Sequence, residues 1–126
     1  MSEGIEAITT AALGLAMDAA SLRQQAIAAN IANANTVGYV PMTVDFESQM
    51  EDARLSLQSQ GHLDATALAG VRPRMRTQTE LGLPGKVMLD MEVARMAENS
   101  VQYQALAKGL SRHFAILSAA VSDGKK

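Results

Sequence analysis

The chain places an apolar stripe at each of its ends, and neither stripe can be buried by the helix that carries it. Near the C-terminus Leu89, Val93, Met96, Ser100, Tyr103, Ala107, Leu110, Phe114, Leu117 and Val121 alternate steps of four and three. That spacing is a heptad stripe on a long helix. Near the N-terminus Ile8, Ala12, Leu15, Ala19, Leu22, Ala26 and Ala29 repeat the same steps with smaller side chains. The middle of the chain lacks the pattern, so the segments best suited to packing are those farthest apart in sequence. An all-α fold is expected, in which two long terminal helices pair as a coiled-coil-like hairpin with a short helix and an irregular loop between them.

Composition agrees with this layout. Apolar residues make up 48% of the 126 but aromatic residues only 3%, so the apolar content is carried by helix formers and small side chains rather than bulky anchors. A two-helix hairpin with a loose middle buries less of its surface than a globular fold of equal length, so stability in isolation is expected to be marginal. A net charge of −2 argues against a surface that neutralises phosphates, and no nucleic-acid partner is expected. The absence of cysteine removes disulfides, thiolate metal sites and a cysteine nucleophile together. Glu3 and Glu6 stand where a secretory signal would carry basic residues, so export by a cleaved signal peptide is not expected. Every apolar stretch is interrupted before the roughly 18 residues of a membrane span, and no transmembrane segment is expected.

Along the chain, three segments follow. Residues 1–33 read as the N-terminal helix, with Ser2 as N-cap and Glu3 and Glu6 complementing the dipole of the first turn. Residues 34–86 hold a turn, a short helix and a loop. Asn30, Asn33 and Asn35 stop the first helix, because their side chains bond nearby backbone. Thr36-Val37-Gly38-Tyr39 fits a type II turn with Gly38 at the position that requires positive φ. From Asp45 to Ser59, Phe46, Met50, Ala53 and Leu57 share one face of a short helix. Residues 61–85 contain the basic run Arg72-Pro73-Arg74-Met75-Arg76 without sustained periodicity and read as a mobile or partner-ordered loop, and the role of residues 61–83 is left open. Residues 87–126 form the heptad helix and a short tail, with Asp90 and Glu92 as charges of the first helical turns. By the rise per residue each long helix extends about 45 to 50 Å.

Catalytic chemistry finds little support. His62 and His113 have no second ligand or acid at a metal or triad spacing, and Gly82, Gly85 and Lys86 lack the pattern of a phosphate loop. Asp90, Glu92 and Glu98 are explained as helix-start charge and a solvated face. No catalytic residue, cofactor or metal is expected. The arginines around Pro73 read as solvated, with an acidic partner or the cell-wall polymer as the functional alternative.

The stretch Ala29-Asn30-Ile31-Ala32-Asn33-Ala34-Asn35-Thr36-Val37-Gly38-Tyr39 resembles the N-terminal signature of bacterial flagellar rod and hook proteins, approximately A-N-I-A-N-x-x-T-P-G-Y. Val44-Asp45-Phe46 and the run from Ala97 to Leu106 look most like the proximal rod (FlgB) family of the basal body. One departure is that Val37 stands where the signature has Pro, which removes a pre-set φ from the turn. The resemblance implies a structural protein of the flagellar rod, exported unfolded through the flagellar type III apparatus and assembled into the shaft that crosses the periplasm. It implies as partners other rod proteins, copies of itself, and the rod base on the MS-ring side. On this view Asn30, Ile31, Asn33, Thr36, Gly38 and Tyr39 form the signature turn. Ile8, Leu15, Leu22, Leu89, Val93, Met96, Tyr103, Leu110, Phe114, Leu117 and Val121 serve helix packing and assembly. A rival reading uses the same stripes in a small helical adaptor or secretion chaperone that holds a partner helix.

Overall fold

The computed structural model describes residues 2–61 and 68–124. In chain order it contains α1 (Ser2–Ala32), β1 (Met42–Asp45), α2 (Glu47–Gln60), β2 (Arg74–Thr77), a 3-10 turn (Thr79–Leu81) and α3 (Leu89–Gly124). The two long helices pack against each other. They run antiparallel, since Asn30 near the end of α1 meets Glu92 at the start of α3, while Ala20 and Gln24 meet Asn99.

The helix α1 stops where its asparagines begin to bond the main chain. Both the backbone N–H and the side-chain Nδ2 of Asn33 donate to the Ala29 carbonyl, at 3.0 and 2.9 Å. These bonds satisfy an acceptor that a helix end otherwise leaves open. The chain then reverses and enters β1, which pairs with β2 in antiparallel register, Met42 opposite Thr77 and Asp45 opposite Arg74.

This ribbon lies on α1 and makes the apolar core. Ala19, Ala26 and Val44 are buried, and Leu22, Met42, Phe46 and Met75 pack around them. The small side chains of the N-terminal stripe therefore serve a different neighbour from the one expected. They let the ribbon approach the α1 backbone closely, while α3 rests on the adjacent face that carries Ala20, Gln24 and Asn30.

Part of the segment expected to be an irregular loop is ordered structure. Arg74–Thr77 is a strand, its far end extended by a bond from the Gln78 N–H to the Pro41 carbonyl at 2.8 Å. A short strand whose every second residue is arginine has too few apolar positions to register as periodicity. Upstream, the Gln49 side chain clamps the Arg72 main chain, Nε2 donating to its carbonyl at 2.7 Å and Oε1 accepting from its N–H at 2.9 Å. Ala53, Leu68 and Val71 are buried. Downstream, a Cβ on Gly85 would come within 2.9 Å of Thr79 Cγ2, so the chain leaves the 3-10 turn at a separation that suits glycine. His62 lies outside the described residues, as do the side chains of Ser2 and Leu57.

The face that α3 turns inward overlaps only in part with the stripe that hydrophobicity selects. Glu92 and Asn99 are its buried residues, with Met96, Leu106, Leu110, His113 and Leu117 half-buried. The expected stripe shares Met96, Ser100, Ala107, Leu110 and Leu117 with this face. Val93, Phe114 and Val121 fall on its flank, 54%, 50% and 59% exposed, and Leu89 and Tyr103 are exposed as well. A stripe chosen by apolar character skips the polar residues that stand at the true interface.

Candidate functional site

The signature segment converges on one carboxamide. Asn30 is buried, and all four hydrogen-bonding positions of its side chain are used. Nδ2 donates to the Met42 carbonyl at 2.8 Å and to Glu92 Oε2 at 3.1 Å. Oδ1 accepts from the Met42 N–H and from the Tyr39 hydroxyl, each at 2.8 Å. The amide bonds Met42 as a neighbouring strand would, pairing with both main-chain groups of one residue on the outward edge of β1. One side chain thus joins the end of α1, the turn, the ribbon and the start of α3.

The rest of the signature builds the turn that delivers Tyr39 to this point. Thr36 Oγ1 donates to Asn33 Oδ1 at 3.1 Å, and the Thr36 N–H donates to the Asn33 carbonyl at 3.0 Å. The Tyr39 N–H closes the next turn on the Thr36 carbonyl at 3.2 Å, with Gly38 at φ +80°. This is the geometry expected of Thr36–Tyr39, since the third position of a type II turn requires positive φ. Val37 at the turn's tip is fully exposed. Ile31 is half-buried and makes no part of the polar cluster. Pro41, fully buried, then leads into β1.

Glu92 was expected to be a solvated charge at a helix start. It does lie in the first turn of α3, but it is only 2% exposed. Its Oε1 accepts from Arg95 at 2.9 Å and its Oε2 from Asn30. A buried carboxylate is stable only when such partners replace water. One heptad later, Asn99 Nδ2 donates to the Ala20 carbonyl at 2.8 Å and to Gln24 Oε1 at 2.9 Å, while its own Oδ1 is buried without a partner. Neither residue stands out in the sequence, because a lone acid or amide on a helix reads as surface.

Electrostatics follow from these contacts. Burial, and secondarily the charge of Glu92, raise the Tyr39 pKa above the ordinary phenol value, which keeps the hydroxyl a donor to Asn30. On the ribbon, a hydrogen bond from Ser48 and then the Arg76 guanidinium hold the Asp45 carboxyl below its ordinary value, outweighing the opposing effect of burial. Arg76 also reaches Glu80, and Arg23 pairs with Glu47 across α1 and α2.

Beside the hub a groove of about 490 Å³ runs between α1, β1 and α3. Its charged lining is largely committed to the pairs Arg23–Glu47 and Arg95–Glu92. Among the described residues no group of three or more His, Asp or Glu stands close enough to hold a metal ion, and no helix is long and apolar enough to cross a membrane. His113 stacks obliquely on Phe114 with ring centroids 6.4 Å apart, its Nε2 buried without a partner. The hub at Asn30 fastens four elements to one another.

Comparison with known proteins bears on what such a clamp is for. Residues 12–39, which contain the turn and the asparagine hub, match the family model described as flagella basal body rod protein. The chain is 35% identical to the flagellar basal body rod protein FlgB of Escherichia coli strain K12, over 76% of this chain and 80% of that one. It is 33% identical to FlgB of Salmonella typhimurium, over 71% and 75%. Its likeness to FlgB of Proteus mirabilis is 32%, over 66% and 71%.

Proposed function

From the premise that this chain belongs to the FlgB family of flagellar basal body rod proteins and is a structural component of the rod, we propose how its helices serve assembly. Family membership carries with it a basal-body location and association with other rod and basal-body proteins. Beyond that, we infer that the chain passes through the flagellar type III apparatus without a cleaved signal and docks at the rod base, on the MS-ring side of the shaft that crosses the periplasm.

The observation that carries the assembly reading is the flank of α3 that α1 leaves uncovered. Leu89, Val93, Phe114 and Val121 are about half exposed along this helix, which spans about 54 Å at the usual rise per residue. An apolar flank of this kind is normally covered by another helix. Neighbouring subunits supply that cover in an open helical array, where each contact is heterologous and does not close on itself. Half-buried Ile8 and Leu15 on α1, with Met96, Leu110 and Leu117 on α3, set the pairing that presents the flank. Torque transmission then requires stiffness and no catalytic group.

The test is assembly in cells. Leu110→Asp, Leu117→Asp and Phe114→Asp are expected to abolish rods in isolated basal bodies while the exported chain is still recovered outside the cytoplasm. Normal rods carrying Phe114→Asp would remove the helix flank from the account, and normal rods carrying Leu110→Asp and Leu117→Asp would remove the pairing face. Retention of all three variants in the cytoplasm would place the defect in export instead.

A further inference from the structure

Among the described residues, the ladder between β1 and β2 leaves one edge of the ribbon unused. Gln78 bonds the Pro41 carbonyl, and both main-chain groups of Met42 turn outward to Asn30. Inward and outward groups alternate along an antiparallel pair. The register opposes Met42 to Thr77 and Val44 to Met75, so the N–H and C=O of Thr77 and Met75 point away from β1. On the β1 side Asn30 occupies the outward groups of Met42, and Val44 lines the groove beside α3. On the β2 side no hydrogen bond from a described residue reaches the outward groups of Met75 or Thr77.

The charged side chains of β2 itself and of the residues leading into it are all basic. Met75 packs into the core, so Arg74 and Arg76 stand on the opposite face of the strand. Arg76 is held by Asp45 and Glu80. Arg72 and Arg74 make no ion pair with any described residue, and both are exposed. A chain of net charge −2 thus gathers three arginines and no acid between Leu68 and Thr77. A second copy of β2 laid along the same edge would set arginine against arginine, and like charges facing one another across strands are unfavourable. An acidic strand meets the opposite condition.

We propose that the outer edge of β2 is a strand-addition site for an extended segment of a partner protein in which acidic residues alternate with β-branched ones. Main-chain bonds to Met75 and Thr77 supply the pairing, and Arg72 and Arg74 select the charge. Binding of this kind is a property of the purified chain and does not require that it enter a rod, so its failure and that of the assembly reading are separable.

The probe is a fluorescein-labelled peptide, Thr-Glu-Val-Glu-Val-Glu-Thr, titrated with the full chain and followed by anisotropy. Three comparison peptides accompany it: the lysine counterpart, an oligoglutamate of equal charge, and a version with proline at its centre. The glutamate–valine peptide alone is expected to bind. Arg74→Glu should weaken it about tenfold or more. Thr77→Pro removes an outward N–H at a position outside the apolar core, which an edge strand tolerates, and should abolish binding while the circular dichroism of the helices is kept. Amide exchange at Met75 and Thr77 should slow when the peptide is bound. Equal binding of oligoglutamate, or binding without that protection, would mean general attraction of polyanions and would overturn strand addition. Absence of binding by the glutamate–valine peptide, or binding by its lysine counterpart, would overturn it too.

Discussion

Replacing Asn30 removes the partner of four groups at once, and the cost can be worked from their surroundings. In Asn30→Ala the Met42 N–H and C=O each lose a 2.8 Å bond. A buried polar group left unsatisfied costs about 1–3 kcal/mol. Tyr39 is only half-buried and can turn its hydroxyl to water, and Glu92 keeps Arg95, so these two add less. The sum is about 3–5 kcal/mol, a large part of the roughly 5–15 kcal/mol that holds a small domain together. Asn30→Asp is the sharper probe. It keeps the shape and the acceptor for Met42 and Tyr39 but replaces two donors with a carboxylate facing the Met42 carbonyl and Glu92. Burial and the neighbouring Glu92 charge raise the introduced carboxyl's pKa in the folded state above its unfolded value. The variant is therefore least handicapped at low pH and loses stability as pH rises through that folded pKa. Adding Glu92→Gln restores a donor opposite the new carboxylate, so the double variant should recover at least about 1 kcal/mol relative to additivity. Urea denaturation followed by circular dichroism at neutral and mildly acidic pH measures all of this. A loss of less than about 1 kcal/mol in Asn30→Ala, or equal stability of Asn30→Asp at both pH values, would show that Asn30 is not the hub of these bonds.

Val37→Pro, at an exposed second position of a type II turn, should stabilise the chain by about 0.4–1 kcal/mol through the unfolded state, seen as a rise in Tm; a fall would show that Val37 has a backbone conformation proline cannot take. Tyr39→Phe removes one bond to Asn30 and should cost about 1 kcal/mol, less than Asn30→Ala in the same urea titration. Because the Tyr39 pKa is raised in the folded state, its contribution is complete below the unfolded phenol value and is lost as pH rises through the folded one. Alkaline unfolding monitored by tyrosinate absorbance should accordingly shift in Tyr39→Phe. Asp45 has the opposite sign. Its lowered pKa makes a contribution that is present above the unfolded value and disappears as pH falls through the folded one, so Ser48→Ala should narrow the acid-stable range in a pH titration of ellipticity.

The helical frame was legible because it rests on residue types that repeat. Thirty-odd residues with apolar side chains at heptad steps leave little choice but a helix, and the asparagines with Gly38 announce the turn by chemistry local to it. The signature itself could be matched, yet the match does not say what Asn30 does. Its partners Met42 and Glu92 lie far along the chain, and their bonds depend on how the ribbon and α3 are brought to it. The strand Arg74–Thr77 was hidden for another reason. Its pairing energy comes from main-chain bonds to β1 and one half-buried methionine, so charged side chains at alternate positions cost it little and conceal it from any search for apolar period. Leu22 illustrates the same point from the other side: its place in a heptad stripe was plain, but the ribbon, rather than α3, covers it.

The polar residues in the helix seam explain why an apolar stripe alone gives a face displaced from the buried one. A seam filled with alanine and leucine can slide by a heptad at little cost, whereas a buried amide bonded to one carbonyl fits a single register. Asn99 on the Ala20 carbonyl and Glu92 on Asn30 fix α3 against α1 at two points one heptad apart on α3. Replacing either by leucine would bury more apolar surface and relinquish that choice of register. Since the uncovered flank of α3 is positioned by the register, the same two residues decide where Val93, Phe114 and Val121 stand relative to the turn. A clamp that fixes register at the hub end, with apolar positions continuing along the remainder of the helix, is the arrangement a shaft subunit requires: its neighbours meet a surface whose spacing is already set.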